Sequence, residues 1–485
     1  MNVVPERLRQ PSPPALASAI RRSLTEVVAS GARGRSYRKD VLLLLTLVFV
    51  LDYADRAAVG ALGPDLKHAF HISNTEFGFL ASAFSIVGAL ATIPAGILTD
   101  RVRRTLVLAA AVALWGIAMG ATGAATTFVF LVAARVFLGA VTATASPATL
   151  SIAGDVFPSG IRGRALGIIN SGALVGDGIG FLLAGAIAAA FSWRGVFWLL
   201  GTVGFALVYL LLRLPEPQRG VGGAAAVDEG GGDVAEEVAE DADDVRADER
   251  LVLRGDQSRR PLSSAIRYVL RVRTQLLVMI AVAIGSFFFA GLRTFSVIFA
   301  VKAYGVHRSL ADIGLVVAGV GGIVGILAGA RIGDALIAGG RLSGRLIVAS
   351  YSYLVAVLVL LPAFLVSSPW LALPLYVVGA ASLAAPFSPL DAVRLDVIHP
   401  QLWGRAEAIR TLLLIVAQAG APLLFGFLAD RISGGGASGL RWTFLLTLSM
   451  LVASALILQL ARRFYPRELA AATASRRANL EPSGS

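Results

Sequence analysis

Cysteine is absent from the 485 residues, so the chain forms neither a disulfide nor a thiolate metal site. Histidine occurs four times, at 68, 71, 307 and 399. His68 and His71 stand three residues apart beside a loop, which reads as a solvated pair rather than a metal site. Charge is scarce as well: Asp, Glu, Lys and Arg make up 15% of the chain, against about 25% in a soluble domain. The sequence offers no phosphate-binding loop and no nucleophile with a plausible base, so it implies neither an enzyme nor a cofactor. Apolar sequence is what abounds: 56% of residues are hydrophobic and the mean hydropathy is +0.74. The chain reads as an all-α protein that crosses a membrane many times.

The apolar runs predict twelve transmembrane helices, at 41–63, 76–99, 105–124, 127–154, 164–190, 194–213, 274–301, 309–337, 344–367, 370–396, 405–429 and 441–461. The net charge of +12 does not signal nucleic acid, because the arginines fall between the runs. Arg101, Arg103 and Arg104, then Arg162 and Arg164, Arg341 and Arg345, Arg405, and both tails share one side. That bias predicts a multi-pass membrane protein with both termini in the cytoplasm. The expected layout is a disordered tail at 1–40, a six-helix bundle at 41–213, a linker at 214–273, a second bundle at 274–462 and a tail at 463–485. The first apolar run is too long for a cleaved leader core. The linker carries an acidic run from Asp233 to Glu249, and its end at 265–273 reads as a basic amphipathic segment on the inner leaflet.

Charges inside the runs are the informative residues. Asp52, Asp55 and Arg56 lie within the first span, each costing roughly 2.5–3.5 kcal/mol at the centre of a lone helix in lipid. They must face protein or a water-filled cavity. At 1.5 Å per residue, Arg56 lies about 22 Å and Asp177 about 20 Å from the inner surface. Arg135 falls near the same layer. A shared substrate or proton site is one reading. Charges that merely neutralise one another, or tie helices together, is the other.

The halves repeat. Asp155, Gly163, Arg164 and Ile168 recur as Asp396, Gly404, Arg405 and Ile409, each 241 residues on, and Gly185 recurs as Gly426. Ala95-Gly96-Ile97-Leu98-Thr99-Asp100 finds a looser echo in Gly329-Ala330-Arg331-Ile332-Gly333-Asp334. Two repeated six-helix bundles on a polar linker suit a transporter that rocks one half against the other.

Gly96-Ile97-Leu98-Thr99-Asp100-Arg101-Val102-Arg103-Arg104 resembles the cytoplasmic signature of the major facilitator superfamily, with Arg103 where a second glycine is usual. Asp52-Tyr53-Ala54-Asp55-Arg56, Ala148 to Phe157, Gly176-Asp177-Gly178-Ile179-Gly180 and the Pro215-Glu216-Pro217 exit from the sixth run resemble the Spinster-like branch. This resemblance implies two pseudo-symmetric bundles and an amphiphilic, lysophospholipid-like substrate. It also implies proton coupling through a helix-four glutamate, but Thr142 stands at that place. Asp177, where the branch has serine, is the expected replacement as the titrating partner of Arg56.

The substrate or proton site is therefore expected at Asp52, Asp55, Arg56, Arg135, Thr142, Asp177 and Arg293. A cytoplasmic salt-bridge gate between the bundles is expected from Gly96, Asp100, Arg101, Arg104, Asp155, Arg164, Asp334, Asp391, Arg394, Asp396, Arg405, Glu407 and Arg410. The expected partners are membrane lipid and a small-molecule or lipid substrate, with protons an open question. The expected unit is a monomer. Transport of drugs or small organic anions, and a receptor that binds without transporting, remain the alternatives.

Overall fold

A backbone crossing hydrocarbon must satisfy its own N–H and C=O groups, and the apolar runs do so as helices. The computed structural model describes residues 13–157, 159–217, 247–253, 262–399, 402–434 and 436–480. Its first half contains α1 (Pro13–Ala61), α2 (Gly63–Phe70), α3 (Asn74–Arg101), α4 (Arg104–Gly123), α5 (Phe128–Thr142), α6 (Ala145–Val156), α7 (Ser159–Ala190) and α8 (Trp193–Leu212). Its second half contains α9 (Leu262–Arg271), α10 (Arg273–Tyr304), α11 (Arg308–Ala338), α12 (Gly344–Leu365), α13 (Pro369–Ala384), α14 (Phe387–Val397), α15 (Trp403–Ser433), α16 (Ala437–Ala461) and α17 (Tyr465–Leu480).

Among the described residues, eleven helical segments are long and apolar enough to cross a membrane. The twelfth span is α1, whose apolar run holds Asp52, Asp55 and Arg56. The fold is thus two six-span helical bundles. The fourth and tenth spans are each broken in two, into α5–α6 and α13–α14. Pro147 and Pro389 are the third residues of the second pieces. A proline there lacks the N–H for an i→i−4 bond and crowds the carbonyl four residues back, but is tolerated in a new first turn. Within the first bundle, α7 lies against α1 so closely that a Cβ at Gly176 would stand 2.4 Å from the carbonyl oxygen of Val50. A lipid-exposed surface gives no hydrophobic drive for such contact, so small residues and dispersion supply it.

Three boundary expectations need correction. The leading segment is not wholly disordered: α1 starts at Pro13, and only 1–12 lie outside the described residues. The segment expected on the inner leaflet packs partly on the protein itself, with Tyr268 and Val269 of α9 and Val272 just after it buried. The C-terminal segment is helical from Tyr465 and docks with Tyr465 and Leu469 buried. Glu468 of α17 accepts hydrogen bonds from the N–H groups of Arg273 and Thr274, both at 2.8 Å. These belong to the first turn of α10, where donors lack intrahelical partners. Burial pushes the Glu468 carboxyl above its ordinary range, and the bonds from Thr274 and Arg273 only partly oppose this. The acidic run at 233–246 lies outside the described residues.

Candidate functional site

The charged residues of the first bundle meet the second bundle in a cavity of about 720 Å³. Asp55, Arg56, Arg135, Asp177 and Arg293 line it, together with Tyr53. Most of the remaining wall is aliphatic, with aromatic rings at Phe289, Phe364, Trp370, Tyr376 and Phe444.

Pairing within the cavity differs from the expected pattern. Arg56 is clasped by Asp52 on the same helix, Nε to Oδ1 at 3.1 Å and Nη2 to Oδ2 at 2.9 Å. Its guanidinium lies 5.3 Å from the Tyr53 ring centre and 5.1 Å from that of Phe84, in cation–π range. Asp55 pairs instead with Arg135, Nη1 to Oδ2 at 2.6 Å, with both side chains almost completely buried. Asp55 Oδ1 and Arg135 Nη2 have no hydrogen-bond partner, an unusual state for buried polar atoms.

Asp177 does not pair with Arg56. It pairs with Arg293 of the opposite bundle. The Arg56 partnership expected for Asp177 fails because Asp52, one helical turn away, already fills the guanidinium fork. Thr142 donates its hydroxyl to the Gly139 carbonyl at 3.2 Å, at the end of α5, and is not on the cavity wall.

The described ion pairs among the expected gate residues form clusters within each bundle. Arg104 is buried, paired with Asp155, and bonded through Nε to Glu216 at 3.1 Å. Glu216 also accepts from Thr105 N–H at 2.9 Å. Burial raises the Glu216 carboxyl, but the bonds from Thr105 and Arg104 outweigh it and hold the group below its ordinary range. In the second bundle, Arg345 bonds Asp396 at 2.9 Å and Asp334 at 3.1 Å. Arg394 bonds Asp391 at 3.0 Å and Glu407 at 2.7 Å, and Glu407 also holds Arg410. Arg101 is exposed. The side chains at Gly96, Asp100, Arg164 and Arg405 lie outside those described.

The bundles are joined at the opposite end. Asp430 of α15 accepts from Asn74 Nδ2 at 2.8 Å and from Thr75 N–H at 2.7 Å, capping α3 across the interface. Arg308 of α11 pairs with Asp65 and donates to the carbonyls of Ala184 and Gly185 at 3.1 and 3.2 Å. Leu423 N–H donates to Ser82 Oγ at 3.1 Å. These cross-bundle bonds lie at this end, and the Asp177–Arg293 pair lies in the cavity. Gly185 and Gly426 sit at the two crossings there. A Cβ would meet Asp312 Oδ2 at 2.7 Å in one case and the Asn74 carbonyl at 2.2 Å in the other.

The sequence reading missed Asp65, Glu216, Arg308, Asp312, Arg345 and Asp430. Arg345 was the most accessible of these, standing 241 residues after Arg104 in the same repeat.

Residues 45–392 match the Major Facilitator Superfamily. A hexuronate transporter of Bacillus subtilis is 31% identical over 189 residues, 39% of this chain and 45% of its own length. A 3-(3-hydroxy-phenyl)propionate transporter of Escherichia coli is 33% identical over 175 residues, 36% of this chain and 43% of its own. The matches thus span less than half the length of these relatives. The crystal structure of a bacterial homologue to the human lysosomal transporter Spinster, inward-facing and occupied, superposes with a TM-score of 0.74 at 21% identity. That match covers 89% of this chain and 98% of the other, a likeness of fold. A family match over most of the chain, on a fold of two six-span bundles with a charged cavity between them, makes this protein a member of the Major Facilitator Superfamily.

Proposed function

We propose that the chain is a secondary transporter, not an enzyme, carrying an amphiphilic organic anion across the bilayer by alternating access. The observation that supports this is the two-sided cavity. Guanidinium groups at Arg56 and Arg293 share the cavity with an apolar wall that includes Phe289, Phe364, Tyr376 and Phe444. An acidic head has cations to meet, and an apolar body has rings to displace water from. A lysophospholipid-like lipid is the favoured substrate, and proton coupling fits the carboxylates beside those cations.

With both termini and the 214–273 linker in the cytoplasm, the closed end bearing Arg308 and Asp430 faces outward. The chain then stands in an inward-facing state. A smaller organic acid is the second reading, supported by relatives named for hexuronate and a hydroxyphenylpropionate. Few uncharged polar groups line the cavity, among them Ser85, Thr294, Ser296 and Gln418, which disfavours a polyhydroxylated sugar acid.

Uptake into proteoliposomes, with and without a pH gradient, tests the proposal. A panel of lysophosphatidylglycerol, 3-(3-hydroxyphenyl)propionate and glucuronate separates the readings. The expected result is preference for the first, with acceleration by a gradient. Transport of glucuronate alone overturns the amphiphile. Binding without crossing for every compound favours a receptor.

A further inference from the structure

Three guanidiniums line the cavity, and they differ in how they are held. Arg135 is closed off with Asp55, its side chain 3% exposed. Arg56 is clasped through two bonds by Asp52, one turn away on the same helix. Arg293 on α10 has its carboxylate supplied from the other bundle, by Asp177 on α7. Both members of that pair remain about a quarter exposed, at 22% and 25%. Arg293 also reaches the Tyr53 carbonyl at 3.5 Å and lies 5.8 Å from the ring that Arg56 covers. An anion entering the cavity can take Arg293 without breaking a clasp inside one helix.

We propose that Asp177 stands in for the acidic head of the substrate. Without substrate, its carboxylate holds Arg293 and ties the bundles together. The entering anion replaces it on Arg293, and Asp177, left without its cation in an apolar cavity, takes a proton. A buried carboxylate deprived of its partner neutralises in this way rather than remain charged. The groups facing Asp177 are Arg293 on α10 and Asp52, Tyr53 and Arg56 on α1. Asp52 and Arg56 satisfy each other, so neither replaces the lost cation.

Charge balances for one kind of head only. A monoanion on Arg293 with a protonated Asp177 restores the neutrality of the original pair. A dianion leaves one excess charge in the cavity. The substrate class is therefore a monoanionic amphiphile, a fatty carboxylate or phosphodiester, moving with one proton. Losing the tie between α7 and α10 also frees the closed end to part. This inference rests on the amphiphilic-anion reading, and its test separates the two.

Ser82 is 1% exposed and bonded to Leu423 N–H of the opposite bundle. With no native cysteine, Ser82→Cys in the full chain, held in nanodiscs, reports parting of the closed end through labelling by an impermeant maleimide. Labelling should be slow without ligand and several-fold faster with dodecanoate, and unchanged by neutral monolaurin. Asp177→Asn and Arg293→Gln should each label fast without ligand, and dodecanoate should add little. The exchanged pair Asp177→Arg with Arg293→Asp should return to slow labelling, which separates loss of the tie from misfolding. Calorimetry of dodecanoate binding in buffers of different ionisation enthalpy should read one proton taken up, absent in Asp177→Asn. Labelling of Asp177→Asn at the parental rate overturns the tie. Dodecanoate speeding Arg293→Gln as much as the parent overturns the displacement. If Asp177→Asn labels fast but dodecanoate changes neither protein, displacement by this class falls together with the amphiphilic-anion reading, while the tie stands.

Discussion

At the residue scale, burial decides which charges can be altered. Asp55 and Arg135 are almost completely buried, and each is the other's ion-pair partner. Arg135→Leu should lower stability by about 3–5 kcal/mol, because it leaves a buried carboxylate without its cation. The double change Asp55→Asn with Arg135→Leu should recover much of that loss in thermal unfolding of the detergent-solubilised protein. Lys67, on the short helix α2 at the closed end, is a different case. Burial, with Lys302 nearby, lowers its ammonium to about 8, against the pull of Asp430 and Glu76. Exposed on opening, the group returns towards 10.5. Between those values the open form binds more protons, so the closed form gains as pH rises through about 8. Labelling of Ser82→Cys should slow between pH 7 and 9, and Lys67→Met should flatten that dependence.

At the scale of elements, ends matter more than middles. The first donors of α3 are capped by Asp430 from another bundle, and those of α10 by Glu468 from the C-terminal helix. Removing such a cap costs about 1 kcal/mol, within a range of roughly 0.5–2. Glu468→Ala should therefore loosen α17 without unfolding the bundles. Limited trypsin digestion should cut at Arg467 several-fold faster than in the parent, while the main unfolding temperature moves little. Faster cutting together with a clear fall in the main unfolding temperature would mean that α17 is part of the core. The broken spans belong to this scale too. Pro147 and Pro389 end one helix and start another in each half, and both were visible in the sequence. Their effect was not read there, because a proline inside a long apolar run is compatible with a kink as well as a break.

For the whole molecule, the arginine bias predicts which face is which. An added cysteine at Arg463, exposed just beyond α16, should react with impermeant reagent only after the cells are opened. One at His68, exposed on α2, should react in intact cells. The reverse pattern would invert the assignment and make the observed state outward-facing.

The number of spans, the two halves and most of the intramembrane charges, Asp312 excepted, were legible in the residues alone. Each follows from a local cost: apolar length, a fixed repeat distance, and the price of an ion in lipid. The repeat even carried an ion pair twice, since Arg104–Asp155 and Arg345–Asp396 occupy matching places. Which charge meets which depended on how the helices pack. Asp177 was read against Arg56 on estimated depth alone, yet depth says nothing of the side of a helix on which a group points. Packing of α7 against α1 turned Asp177 toward Arg293, and Asp52 had already filled Arg56. The closed end was beyond sequence reading for the same reason. Asp65, Arg308 and Asp430 look like ordinary loop-side charges until two bundles meet and leave each of them its partner on the other half.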